Sequence, residues 1–217
     1  MPSRTSSFSY PQTPQKDESI DMIRLCTAFF KAFLEIILTD EEMFCDAAGA
    51  FSYSGARCPK CGALGKLSPH GDYTRYLISF ECKQIIERLV NPLRFYCASC
   101  KSTHALLPDI ITPYSQYSLR FKLIALIAYY ERGTTVAAVC ENFGIAVSTL
   151  YVWRGLMLEH KDLMFGALIS LKTSALAFLR NLLKTSNLSK LLGDFFRRHA
   201  FSFLQNRPVP ATRPRPP

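Results

Sequence analysis

The sequence lacks any apolar run long enough to cross a membrane, since a helical span needs about 18 consecutive apolar residues. Its best runs, Leu123–Tyr130 and Leu163–Leu171, are far shorter. It also lacks a basic start followed by an apolar stretch, the mark of a secretory signal. These absences predict a cytoplasmic protein with no membrane partner. They also argue against structural disulfides among its eight cysteines, because reducing compartments keep thiols free.

Acidic residues are few. The chain of 217 residues has 17 Asp and Glu against 26 Lys and Arg, a formal net charge of +9. The imbalance is strongest in residues 159–217, which have 10 basic and 3 acidic side chains. A surplus of this size favours an anionic partner. We therefore expect association with nucleic acid and, within the cytoplasm, with the nucleoid.

Two pairs of cysteines have the spacing of zinc knuckles. Cys58 and Cys61 form one CxxC, and Cys97 and Cys100 form another, with 35 residues between the pairs. Four thiolates complete the tetrahedral coordination that zinc prefers, which leaves no position for a catalytic water. The pattern predicts a structural Zn2+ ion in a zinc ribbon. Four unrelated core thiols and a redox pair are the alternatives, and the redox reading is the weaker because neither pair starts a helix after a strand.

Three further residues near the knuckles have open roles. His104 is either a substitute ligand or a contact to backbone or phosphate, and His70 is more typical of a turn than of a metal ligand. Cys82 lies between the knuckles and is expected to be a free thiol.

Residues 136–153 match the pattern of a DNA-binding helix-turn-helix. Apolar residues fall where a three-helix core needs them, and Gly144 occupies the turn, where a positive φ is expected. Ser118 is the predicted N-cap of the preceding helix, and Ser148 that of the second helix of the motif. The predicted core residues are Val139, Phe143, Ile145, Leu150 and Trp153.

The N-terminal part of the second helix of such a motif faces the major groove. Serine and threonine suit phosphates, and an arginine suits a phosphate or a guanine edge. The alternative is a plain or protein-binding three-helix bundle. The predicted outward, DNA-contacting residues are Ser148, Thr149, Tyr151, Val152 and Arg154, with Ala146 beside them.

The expected fold class is α+β, mostly α, with a small β ribbon followed by a helix-turn-helix core and C-terminal helices. The predicted strands are Tyr73–Phe80 and Ile85–Tyr96, the second broken or placed at a sheet edge by Pro92. The predicted segments are a disordered lead at 1–16, an N-terminal helix at 17–44, a zinc ribbon at 45–108, a linker at 109–117, a helix-turn-helix at 118–158, C-terminal helices at 159–206 and a disordered basic, proline-rich tail at 207–217.

The C-terminal helices are rich in leucine and phenylalanine, with breaks expected near 185–187 and at Gly193. Two interpretations stay open. The apolar side chains either pack on the helix-turn-helix core or form a homodimer surface through residues 165–204, and a dimer would suit paired DNA half-sites.

Several of these stretches resemble a group of uncharacterised bacterial proteins that pair a transposase-type zinc ribbon with a helix-turn-helix. The resemblance rests on Cys58–Gly62, Gly71–Arg75, Arg94–Cys100, Thr103–Pro108 and Phe143–Tyr151. The run Asp194–Gln205 is also typical of that group, so the resemblance spans roughly residues 40–206. The same pair is similar to the N-terminal DNA-recognition region of insertion-sequence transposases. The resemblance implies zinc, double-stranded DNA and a link to mobile elements.

The chain departs from full transposases after the predicted helix-turn-helix. Strand transfer needs three carboxylates that hold two metal ions. After Leu158 the only acids are Glu159, Asp162 and Asp194. The sequence thus predicts a zinc-stabilised, sequence-specific DNA-binding protein that is not an enzyme. The alternative is a protein-interaction module or accessory subunit that docks a transposase or a transcription partner.

Overall fold

The computed structural model describes residues 23–25, 39–165, 173–184 and 188–206. Strands dominate the first half of this part and helices the second. The strands are β1 (Ile23–Leu25), β2 (Leu67–Asp72), β3 (Arg75–Glu81), β4 (Gln84–Val90), β5 (Leu93–Cys97) and β6 (Thr103–Pro108). The helices are α1 (Asp40–Gly49), α2 (Leu119–Tyr130), α3 (Val136–Phe143), α4 (Val147–Phe165), α5 (Ala175–Lys184) and α6 (Leu188–His199).

The mostly α expectation is wrong. Of the described residues, 44% are helical and 23% lie in strands. The strands form a four-stranded sheet in the order β1-β6-β5-β2 and a separate β3-β4 hairpin. Strands β2 and β6 are additional to the two predicted strands, because each owes its extended form to pairing with β5 rather than to a local pattern. Pro92 breaks the predicted long second strand, separating β4 from β5.

The predicted N-terminal helix at 17–44 is wrong at two places. Ile23–Leu25 form β1, which pairs in parallel with Leu106–Pro108 of β6. Helix α1 begins later, at Asp40, where Thr39 and Glu42 cap each other's backbone amides in a capping box. The other residues of that prediction lie outside the described residues, as do the predicted lead at 1–16 and tail at 207–217.

The first five residues of the predicted linker at 109–117 are instead part of the core. Asp109 to Pro113 are buried, and Ile110 and Ile111 are fully so. Burial follows from their apolar side chains and from backbone pairing, since Ile111 bridges to Ser118 and Tyr117 bridges to Ile78 of β3. The segment therefore joins the strands to the helices as one packed body.

The β3-β4 hairpin packs on the helices. The ring of Phe80 lies 4.9 Å from that of Phe143 and 6.4 Å from that of Phe121. Leu77 and Ile78 belong to the same buried cluster as the apolar residues of α2, α3 and α4. Arg88 ties this hairpin to α1, with ion pairs of 2.9 Å to Glu81 and 2.8 Å to Glu41.

Helices α2, α3 and α4 follow the sequence prediction closely. Ser118 caps α2 by accepting a hydrogen bond from the Phe121 amide, and Gly144 ends α3 with φ 57°. All five predicted core residues, from Val139 to Trp153, are at most 6% exposed. Helix α4 begins at Val147, so its N-cap is Ala146 and Ser148 lies in its first turn, two positions after the cap.

Helices α3 and α4 meet at a sharp bend of 103°. No single helix in the described ranges is long and apolar enough to cross a membrane, although α3 and α4 together have the length and composition of a broken span.

The C-terminal helices close over this core. Phe178, Leu182 and Phe195 are buried in the same cluster as the residues of α2 and α4. These side chains therefore pack on the helical core, and a homodimer through residues 165–204 stays a prediction. The expected break at Gly193 is wrong, because α6 runs through it, and the expected break at 185–187 lies outside the described residues.

Candidate metal centre

The four predicted metal ligands come together in the structure. The Sγ atoms of Cys58, Cys61, Cys97 and Cys100 all lie within 4.8 Å of one another. Those of Cys58 and Cys100 are 3.6 Å apart, and those of Cys61 and Cys97 are 3.7 Å apart. A tetrahedron with zinc–sulfur bonds of about 2.3 Å has edges of roughly 3.8 Å. The cluster therefore has the size and chemistry of a four-coordinate metal site, with every ligand a thiol.

The two knuckles share one backbone fold. The Gly62 amide donates to the Cys58 carbonyl and the Lys101 amide to the Cys97 carbonyl, both at 2.9 Å. Gly62 and Lys101 also share a left-handed backbone, with φ of 71° and 58°. The Lys60 ammonium joins the knuckles by donating to the Ser102 hydroxyl at 3.0 Å. The cluster thus has an approximate two-fold arrangement.

Backbone amides and burial act in opposite directions on the sulfurs. The Cys100 amide donates to the Cys97 sulfur and lowers the pKa of that thiol to about 6. Burial raises the pKa of the Cys58 thiol to about 12, against donation from the amides of Cys61 and Lys60. Burial also raises the pKa of Cys100, but donors from Ser102 and His104 outweigh it, so the net shift is downward. A divalent cation would offset the cost of holding these sulfurs as thiolates together.

His104 is a neighbour of the cluster rather than one of its four members. Its Nε2 lies 3.3 Å from the Cys58 Sγ, and the side chain is completely buried. Hydrogen bonds to ligand atoms orient them and tune the metal. The position of His104 on β6, across from Phe95, brings it to the cluster, and this strand pairing has no signal in the local sequence.

The other residues with open roles lie apart from the four sulfurs. His70 lies exposed in β2, with its ring 5.6 Å from that of Tyr96. Cys82 is an exposed free thiol, as the sequence analysis expected, at the tip of the β3-β4 hairpin.

The predicted DNA-contacting residues divide into exposed and half-buried sets. Ser148 is exposed, and Tyr151 and Val152 are 46% and 47% exposed on the same helix. Thr149 and Arg154 are half-buried. Burial raises the pKa of Tyr130, and the neighbouring Arg154 opposes that shift, so this guanidinium packs beside the phenol. Arg154 is thus half-buried beside Tyr130, and its contact with DNA stays a prediction.

Comparison with known proteins gives one match. A family described as a domain of unknown function (DUF6431) matches residues 58–153, from the first cysteine of the cluster to a core residue of α4. No curated protein and no solved structure matches the chain. The chain is thus similar to that family over the cysteine cluster, the hairpin and the first three helices after it.

Proposed function

We propose that the four-cysteine cluster holds one structural zinc ion. Four thiol ligands exclude the harder ions Mg2+ and Ca2+, which take oxygen ligands. The short sulfur–sulfur distances, the paired knuckle amides and the buried His104 support this assignment. The ion would join the Cys58 knuckle to the end of β5 and so fix the four-stranded sheet.

Elemental analysis of the purified full chain tests the zinc assignment. We expect one zinc per chain, and loss of that zinc in Cys58→Ser. Cys82→Ser is the matched control, because Cys82 is an exposed thiol outside the cluster. Wild-type protein that is free of metal after purification and does not take up added Zn2+ would refute the assignment.

We propose further that the chain binds double-stranded DNA through α3 and α4, as a helix-turn-helix. The observation that supports this most directly is the 103° bend between the two helices at Gly144, within the range of such motifs. The first turns of α4 would enter the major groove, where Ser148, Tyr151 and Val152 are exposed. The net charge of +9 suits a phosphate backbone. In this proposal the chain binds DNA and does not cleave it. Cleavage of the DNA would be the task of another protein of a mobile element.

A charge change on α4 tests this proposal. Ser148→Glu places a negative charge in the first helical turn, where it favours the helix but repels DNA. We expect it to weaken binding of a fluorescent duplex pool, and Ser148→Lys to strengthen it. Asn181→Glu and Asn181→Lys make the same charge changes on an exposed position of α5 and should have little effect.

Salt dependence completes the test. Binding of the duplex should weaken steeply as salt is raised, because phosphate contacts release counterions. If no duplex binds at low salt, or if the Ser148 and Asn181 variants behave alike, α4 is not the DNA-reading helix.

A protein partner is the second candidate function, and one observation favours it. Val147, Tyr151 and Val152 leave an apolar patch on α4 that is nearly half exposed. A transposase of the same mobile element is the partner to test. If this alternative holds, Tyr151→Ser would weaken that complex while salt has little effect on it.

A further inference from the structure

The four-stranded sheet separates the metal cluster from a cavity of about 580 Å³. Along β6, His104 and Leu106 face the cluster side, whereas Thr103, Ala105 and Leu107 line the cavity. On β5, Phe95 and Cys97 belong to the cluster side and Arg94 to the cavity. This division follows from the alternation of side chains along a strand. The volume lies in the range of small-molecule sites.

Two arginines give the cavity a positive charge. The Arg94 guanidinium lies 4.7 Å from the centre of the Tyr73 ring, and the Arg75 guanidinium donates to the Ser115 carbonyl. Both side chains are half-buried. Among the described residues neither makes an ion pair with a carboxylate, and the cavity lining contains no acid. The cavity therefore favours an anion.

Tyrosines form the mouth of the cavity. Tyr114 and Tyr76 are 65% and 59% exposed, the highest values among the large apolar and aromatic side chains of the described part. Tyr114 also has a left-handed backbone, with φ 56°, a conformation that is costly for a residue other than glycine. The segment after it is fixed, since the Gln116 carbonyl accepts from the Ile78 amide at 2.8 Å. The structure thus holds an exposed phenol at the cavity edge.

We propose that this cavity binds a nucleotide, with its base against Tyr76 and Tyr114 and its phosphate near Arg94 and Arg75. Flat aromatic faces bind bases by stacking, and arginine binds phosphate. Thr103 and Gln116 provide polar groups for the base edge. The nucleotide is either free or part of a single strand. The site lies on the sheet and is independent of the duplex binding proposed for α4.

Fluorescence anisotropy of the zinc-loaded full chain with labelled octathymidylate tests the site, with thymidine 5′-monophosphate, thymidine and inorganic phosphate as competitors. We expect Tyr114→Ala and Arg94→Gln to weaken nucleotide binding about tenfold or more. Tyr53→Ala, which removes an exposed tyrosine outside both the cavity lining and α4, is the control that should leave it unchanged. Circular dichroism melts of each variant establish that it is folded, and Tyr114→Ala removes only an exposed ring.

The outcomes separate the source of the nucleotide. Direct binding of the octamer that is sensitive to both variants indicates a strand, whereas binding of a fluorescently labelled thymidine 5′-monophosphate without binding of the octamer indicates a free nucleotide. Inorganic phosphate or thymidine that competes as well as the monophosphate overturns the proposal. So does the absence of any binding, or equal binding by wild type and both cavity variants. Loss of duplex binding in Ser148→Glu alone concerns α4 and not this site.

Discussion

At the scale of single residues, the four-cysteine cluster depends on backbone conformations that few residues adopt. Gly62 and Lys101 occupy the same left-handed position in the two knuckles. In each knuckle, the amide at this position donates to the carbonyl of the first cysteine. Glycine adopts this conformation freely, whereas a side chain there is strained by about 1–2 kcal/mol. Replacement of Gly62 in the first knuckle should therefore lower stability, whereas the second knuckle already has a side chain at the equivalent position, Lys101.

Gly62→Ala should lower the free energy of unfolding by about 1–2 kcal/mol, because alanine resists a φ of 71°. Among the described residues, apart from the two adjacent ones, no atom lies within 4 Å of the added Cβ, so the cost is one of backbone conformation alone. Urea unfolding in the presence of zinc measures it. Gly55→Ala is the control, since its added Cβ also has no neighbour and its φ is not left-handed. Equal stability of the two variants would contradict this account.

Lys122 is a second residue whose effect can be measured. It is only 2% exposed and its Nζ donates to the Leu204 carbonyl at 3.3 Å. Burial, with a smaller contribution from Arg75, lowers its pKa from 10.5 to about 7. Below pH 7 the lysine is charged in the folded and unfolded states alike, and the cost of burying the charge is present in full. Above pH 7 the folded protein releases a proton that the unfolded chain keeps.

The free energy of unfolding should therefore rise between pH 7 and 9, with Lys122 contributing up to about 1.4 kcal/mol per pH unit. In Lys122→Met this contribution disappears and the pH dependence becomes flatter. Denaturant unfolding of zinc-saturated protein across this range measures the slope. Lys184→Met changes an exposed lysine and should keep the wild-type slope. A slope that survives in Lys122→Met would show that other groups cause it.

At the scale of elements, the β3-β4 hairpin connects the two halves of the fold. Its turn is formed by Cys82 and Lys83, with φ of 50° and 63°. Two-residue turns with positive φ at both positions favour Asn-Gly, so this pair is strained. The hairpin holds because its buried side packs on α2 and α3 and because Arg88 anchors it to α1. Packing thus outweighs the preference of the turn.

Replacing Cys82 and Lys83 by Asn and Gly should raise stability by about 1 kcal/mol, because both residues accept a left-handed backbone. The midpoint of thermal unfolding measures the gain. Cys82→Ala removes the thiol but keeps the strain, and it should give no increase. A double variant no more stable than this control would show that the turn is not a source of strain.

At the scale of the whole molecule, the described residues form two buried clusters of unequal size. The smaller contains Cys58, Leu67, Phe95, Cys97 and Leu106, and it surrounds the sulfurs. The larger runs from the hairpin through α2 to the C-terminal helices. Around α4, His160 accepts a hydrogen bond from the Leu204 amide at 3.0 Å and packs among the rings of Phe195 and Phe203. The larger cluster has no cysteine of the metal site.

Removal of metal should therefore loosen one cluster and spare the other. After chelation, we expect hydrogen exchange to quicken in β2, β5 and both knuckles, because little apolar area remains there to hold them. The amides of α2 and α4 should stay protected. The control is zinc-loaded protein treated with chelator that is already saturated with zinc and therefore cannot remove the ion. Equal loss of protection in the helices would show that the two clusters unfold together.

Local patterns in the sequence determined much of the helical part and the membership of the four-cysteine cluster. The CxxC pairs predicted which four sulfurs meet, and their close approach is confirmed. Helical periodicity gave the buried face of α3 and α4, and the cap at Ser118 and the turn at Gly144 are confirmed. These features depend on residues a few positions apart, so their physical causes are visible along the chain.

Only the tertiary structure decided the rest, because pairing between distant segments has no local signal. It made Ile23–Leu25 a strand on β6, buried the segment 109–113, brought His104 to Cys58 and turned Arg154 towards Tyr130. It also created the cavity, whose lining comes from four strands and the loop before α2. Strand pairing and burial depend on residues that are distant in the sequence and come into contact only in the folded chain.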